Sequence, residues 1–131
     1  VEDAGSSILV GAGTTMENSY LGAYEGTSIR IGNDCMLAEQ VGIRTGDMHS
    51  ILDVDSGMRL NPSASIVVEP HVWLCRGATV LKGCQIGSHV VVGGHATVTH
   101  SMPPYSLAVG TPAKVVRERI DWRRERLAPG V

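Results

Sequence analysis

The chain has 131 residues, with 11 Lys plus Arg against 13 Asp plus Glu and a formal net charge of −2, which excludes the strong basic excess of a general nucleic-acid binder. Apolar residues make up 43% but aromatics only 4%, with no Phe and 16 Gly, so the core is built from aliphatic and small side chains. No apolar run is long enough to span a membrane, no signal-peptide pattern is seen after Val1, and Cys35, Cys75 and Cys84 form no C-x-x-C pair, which fits a reduced, cytoplasmic setting.

In chain order, the stretch from Val10 to Glu25 is Gly-rich and polar and reads as one or two irregular coils. A six-residue repeat then begins. Ile31, Leu37 and Ile43 hold its first position, Gly32 its second, and Cys35 and Val41 its fifth. A fixed period of six matches neither a helix at 3.6 nor a two-sided strand. Each hexad is predicted to form one short strand and one corner. Its first residue points inward, its small fifth residue fills the interior, and Gly at position two accepts the turn.

The repeat returns with Val68, Leu74, Val80, Ile86, Val92 and Val98 at position one and Val72, Ala78, Cys84, Val90, Ala96 and Met102 at position five. The two runs are out of phase, because the step from Ile31 to Val68 is one more than a multiple of six. The segment Gly46 to Pro62, rich in turn residues, is therefore predicted to leave the coil. Three hexads make one coil, and coils stack at strand spacing. From Ala113 to Leu127 there is no Gly or Pro, and Val115, Val116, Ile120 and Leu127 predict an amphipathic α-helix. This tail holds 6 of the 11 basic residues and 3 of the 13 acidic ones, a local basic patch suited to a small anion. The expected division is a β-helix domain over 1–112, with the excursion at about 46–62, and a helix and tail over 113–131.

The hexads, the Gly46-Asp-Met-His49 loop, the Val72-Trp73 pair and the Gly110-Thr-Pro-Ala-Lys114 ending resemble the hexapeptide-repeat acyltransferases, and among them the sugar O-acetyltransferases. The resemblance runs from about Ile29 to Trp122. It implies an all-β fold, a left-handed parallel β-helix with a protruding loop, a homotrimer with sites between subunits, acetyl-CoA as donor and a glycan or small-molecule acceptor.

His49 alone of the five histidines lies in the excursion, and functional side chains concentrate on loops held by rigid scaffolds. A histidine can take the proton of an acceptor hydroxyl as it attacks a thioester, and His49 matches the family's catalytic His. Asp47, Asp53 and Asp55 all lie near enough in sequence to hold its imidazole, and Asp47 is the nearest. For the donor, the resemblance places Trp73 beside the thioester, the backbone amides of Arg76 and Gly94 on the pantetheine arm, and Thr99, His100, Lys114 and Arg117 at the nucleotide. His100 and Cys75 depart from the family, which has Lys and commonly Gly there. Asn18 matches an acceptor-contacting Asn.

Two other readings compete. His95 and His100 have the His-x4-His spacing of gamma-class carbonic anhydrases, which need three imidazoles around zinc. Both are rotated by one residue within their hexads, and Arg59 stands nearest to where a third His is required. A structural β-helix without chemistry is the other reading, favoured by the departures at Cys75 and His100. No metal is expected in the acyltransferase reading.

Overall fold

In the computed structural model, which describes residues 3–130, aliphatic side chains at the first hexad position stack coil upon coil. Three sheets line a three-sided prism. The first carries β1 (Ser7–Val10), β4 (Ser28–Ile31), β7 (Ile66–Val68) and β10 (Gln85–Ile86). The second carries β2 (Thr15–Met16), β5 (Met36–Leu37), β8 (Trp73–Leu74), β11 (Val91–Val92) and β13 (Ser106–Val109). The third carries β3 (Tyr20–Gly22), β6 (Gly42–Arg44), β9 (Thr79–Val80) and β12 (Thr97–Val98). All of these pairs are parallel.

The register follows the repeat. Val68 stands over Ile86, Leu74 over Val92 and Val80 over Val98, each three hexads on. Ile31, Leu37 and Ile43 pair in turn with Val68, Leu74 and Val80, so the excursion lengthens one coil without breaking the stack. The residues of positions one and five in both runs are buried. The Cys35 and Cys84 thiols lie among them and bond the carbonyls of Glu69 and Val98. Burial pushes all three cysteine thiols upward in pKa, away from thiolate chemistry.

The structure narrows one expectation and corrects two. Before Ile31 the chain forms one complete coil with longer corners, whose pairings of Val10 with Ile31 and Leu21 with Ile43 each span more than three hexads. Among the described residues no further coil stacks on it, and Val10 and Met16 are 41% exposed where the apolar pattern is weak. The glycine at position two is required by close approach rather than by turn geometry. A Cβ on Gly32 would lie 2.5 Å from the Pro70 nitrogen, and one on Gly87 2.5 Å from that of Pro104. The left-handed corner conformation falls instead at position four, on Asp34, Gln40, His71, Gly77, Gly83, His89 and His95.

The second correction is the C-terminal helix. Lys114–Glu118 is a strand, β14, antiparallel to β13 with an irregularity at Leu107/Ala108. Without it β13 would leave a row of unpaired N–H and C=O groups along the sheet edge. Pairing satisfies that edge, the β-branched Val115 and Val116 suit a strand, and Val115 packs against the core.

Beyond β14 the tail folds back along the corner between the first and second sheets. Trp122, 6% exposed, stacks on His71 with ring centroids 4.1 Å apart, and its indole N–H donates to the His71 carbonyl at 2.9 Å. Both nitrogens of His71 face acceptors, Nδ1 the Asp34 carboxylate at 2.7 Å and Nε2 the Trp122 carbonyl at 2.9 Å. Two acceptors require two N–H donors, so the ring is an imidazolium here. Burial works against that charge, but the Trp122 carbonyl and Asp34 outweigh it and raise the His71 pKa. His71 in turn helps to lower that of Asp34. Arg124 completes the strap by donating to the Cys35 carbonyl at 3.0 Å and Thr15 Oγ1 at 2.9 Å.

A raised histidine pKa stabilises the strap fully below the ordinary value, and that stabilisation is lost as pH rises through the raised one. The Trp122 indole N–H resonance is therefore expected to shift as pH rises from below the ordinary histidine value of about 6.5 through the raised one, and His71→Gln to abolish the titration. An indole signal constant over that span would contradict the strap.

Candidate active site

The chain leaves the prism after β6, at the corner between the third and first sheets. The excursion is a hairpin, in which Leu52 pairs antiparallel with Arg59, and the Leu60 N–H donates to the Ile51 carbonyl at 2.7 Å. Asp53 caps its turn by accepting from the N–H groups of Asp55 and Ser56 at 2.9 and 2.8 Å. At the hairpin base Asn61 is 6% exposed and uses its whole hydrogen-bonding capacity. Its Nδ2 donates to Asp47 Oδ2 at 3.0 Å and to the His49 carbonyl at 2.8 Å. Its Oδ1 accepts from the Ile51 N–H at 2.8 Å and Arg59 Nε at 3.2 Å. The Arg59 guanidinium then grips the Glu25 carboxylate with both ends, at 2.8 and 2.6 Å, and holds the Glu25 pKa down.

His49 is exposed, and its imidazole has no hydrogen-bond partner among the described residues. Asp47 does not orient that ring. Its carboxylate accepts from Lys82 Nζ at 2.7 Å, which with Asn61 lowers its pKa, and it reaches His49 only through the Asn61 amide and the His49 backbone. Asp53 is likewise committed to its own turn. Nothing in the sequence marks Asn61. A buried amide serving four groups cannot be told from a turn Asn until its partners are placed.

The outer face of the third sheet borders this corner. An open groove of about 470 Å³ runs over it, lined by Gly42, Arg44, Asp47, Thr79, Leu81 and Lys82 among others. The other edge of this sheet is the corner between the second and third sheets, where Arg76 and Gly94 stand in successive coils. The His95 N–H donates to the Arg76 carbonyl at 2.9 Å, and a Cβ on Gly94 would come within 3.4 Å of that oxygen. The backbone N–H groups of Arg76 and Gly94 have no partner among the described residues. Thr99 and His100 follow β12 on the His49 side, with Thr99 Oγ1 and His100 Nδ1 2.8 Å apart.

Other candidates lie elsewhere. Trp73 is on the second sheet, partly exposed, its ring 6.0 Å from Trp122. The corner that releases the hairpin is across the prism from that sheet, so Trp73 and His49 do not meet within one protomer. Lys114 and Arg117 are exposed on β14. Asn18 sits exposed in the left-handed turn between β2 and β3, its carbonyl accepting from the Gln40 N–H. His95 precedes β12 and His100 follows it, so no single ion within a protomer reaches both. Among the described residues no three His, Cys, Asp or Glu side chains gather to hold a metal.

Residues 65–100 match the family described as bacterial transferase hexapeptide (six repeats). Over 120 residues the chain is 42% identical to a polysialic acid O-acetyltransferase of Neisseria meningitidis, covering 91% of this chain and 56% of that protein. The solved polysialic acid O-acetyltransferase OatWY superposes with a TM-score of 0.91 at 39% identity, over 96% of this chain and 60% of that one. A hexapeptide-repeat acetyltransferase of Vibrio cholerae, VCA0836, solved with acetyl coenzyme A, superposes with a TM-score of 0.74 at 25% identity, over 88% and 65%. The chain thus spans a little over half the length of these relatives. Its repeats, its prism and these likenesses agree, and the chain belongs to the hexapeptide-repeat transferase family.

Proposed function

We propose that the protein transfers an acetyl group from acetyl-CoA to a hydroxyl of a sugar acceptor, with His49 as general base. The observation that carries this reading is an unpartnered imidazole beside a hairpin anchored by Asn61 at one edge of the third sheet, whose other edge presents two unpartnered backbone N–H groups. Those N–H groups, at Arg76 and Gly94, fit the amide carbonyls of a pantetheine arm, and the missing Cβ of Gly94 keeps that edge low. The acceptor O–H gives its proton to the imidazole as its oxygen attacks the thioester carbonyl. The carbon–sulfur bond then breaks, and the CoA thiolate takes up the proton. Lys114 and Arg117 supply the charge for the nucleotide phosphates, to which Thr99 and His100, on the His49 side of the third sheet, are also assigned. The likeness to polysialic acid O-acetyltransferases supports a glycan acceptor, with Asn18 among its contacts.

Trp73 belongs to the same site only if a second copy brings it to His49. The hairpin also favours a partner. Val54 at its tip is 96% exposed, and Ile51, Leu52, Met58 and Leu60 are each more than half exposed, an apolar surface that an isolated chain leaves wet. A homotrimer around a left-handed prism, with Trp73 facing the neighbour's His49, meets both requirements under closed symmetry. Light scattering at micromolar concentration is expected to give the mass of three chains. A monomeric mass would remove the shared site.

A further inference from the structure

The groove over the third sheet contains a charge that the acetyl-transfer chemistry does not use. Arg44, exposed on β6, is the last strand residue before the hairpin that carries His49. Its guanidinium lies over the Tyr20 ring, 4.5 Å from the centroid. It makes no hydrogen bond or ion pair to any described residue. The neighbouring ammonium in the same groove, Lys82, is neutralised by Asp47 at 2.7 Å. Arg44 therefore leaves this part of the groove with one uncompensated positive charge.

The platform beneath it is built. The Tyr20 hydroxyl shares a short hydrogen bond with that of Tyr24, which is 3% exposed, and the Tyr24 backbone N–H is bonded to Thr45 Oγ1. A stacked guanidinium keeps its plane while its N–H edge remains open to a ligand. Beside it Gly42 forms a bare floor, because a Cβ there would meet nothing within 4 Å. An arginine fork, an aromatic floor and open space for a ring suit a carboxylate borne on a sugar. The alternative anion in this reaction is a CoA phosphate. The basic residues suited to it, Lys114 and Arg117, follow the last coil, whereas β6 lies two strands from β12 toward the N-terminal end of the sheet.

We propose that Arg44, held by Tyr20, binds the carboxylate of an acidic sugar acceptor and so selects it over neutral sugars. The proposal rests on the acetyl-transfer reading for its place in a reaction, but not for its chemistry, so binding is tested first. Calorimetry with a sialic-acid glycoside and its methyl ester, without acetyl-CoA, is expected to show the acid binding wild type ~10- to 100-fold more tightly than the ester. Arg44→Gln is expected to erase that preference. Equal binding of acid and ester by wild type, or a preference that survives Arg44→Gln, would overturn the subsite.

With acetyl-CoA present, Arg44→Gln is expected to raise KM for the acid by a similar factor and leave KM for acetyl-CoA unchanged. A rise in KM for acetyl-CoA instead would assign the guanidinium to a donor phosphate and overturn the proposal. Should the acid bind through Arg44 while wild type transfers no acetyl group, the subsite stands and the acetyl-transfer reading falls. Gly42→Val supplies an independent arm. It fits an ordinary strand position with open space above it, so it is expected to block the acid while leaving the melting temperature unchanged. Undiminished binding by a folded Gly42→Val would also count against the subsite.

Discussion

His49→Ala is expected to lower kcat by ~10²–10⁴-fold, the usual worth of a positioned general base, while leaving both the melting temperature and the affinity for CoA near those of wild type. The stability expectation follows from position. The side chain is exposed on the hairpin, touches no core residue, and makes no hydrogen bond that its removal would orphan. The affinity expectation follows from the donor contacts proposed above, which are assigned to the Arg76 and Gly94 corner and to β14 rather than to the hairpin. Steady-state kinetics at saturating acetyl-CoA, with thermal unfolding and CoA titration on the same preparation, checks all three. A loss of CoA binding equal to the loss of turnover would reassign His49 to the donor site.

Asn61→Ala is expected to lower kcat by ~10- to 100-fold, the scale of a misplaced reacting group, without touching any group that meets substrate. The deletion strips partners from the part-buried His49 carbonyl and Ile51 N–H, and the full cost of about 1–3 kcal/mol for a buried unpaired group is an upper limit for each. That cost falls on the hairpin alone, which is expected to open locally while the coil stays folded. Asn61→Asp separates positioning from mere packing. It keeps the acceptor oxygen for Ile51 and Arg59 but loses the donor and places a second carboxylate beside Asp47. The Asp variant is therefore expected to be as slow as the Ala variant at neutral pH, although its volume is unchanged. Hydrogen exchange of the Ile51 and Leu60 amides reads the opening directly. Wild-type kcat in both variants would show that the Asn61 node does not hold the base in place.

The coil was legible because its cause is local. An aliphatic residue every sixth position has to face an interior, and small residues at position five are what a narrow interior admits. The excursion was legible for the same reason, since a phase shift of one residue between Ile31 and Val68 cannot be absorbed inside the stack. Elements whose cause is distant were not legible. Val115 and Val116 fit a helical stripe as well as a strand, and only the open edge of β13 decides between them. The first coil shows a weaker signal, since Val10 and Met16 are not covered by any described residue as the later positions are.

The site divided along the same line. The proposal of His49 as base was reachable from its place in the excursion and from the family resemblance. The bond that orders it was not, because Asn61 draws on partners between 2 and 14 residues away on several segments. Arg44 draws no attention in the sequence, since its meaning lies in the Tyr20 ring below it and in the absence of an acid beside it. His71 carries no mark in the sequence, because the tail that it ties down lies 51 residues further on.

The most direct test of the central claim is a single reaction, in which wild-type protein, acetyl-CoA and a sialic-acid glycoside are followed by thiol release and by NMR of the sugar. The account predicts one new O-acetyl ester for each thiol freed, with neither formed at appreciable rate by His49→Ala. Thiol release without ester, or ester formed by His49→Ala at the wild-type rate, would contradict it.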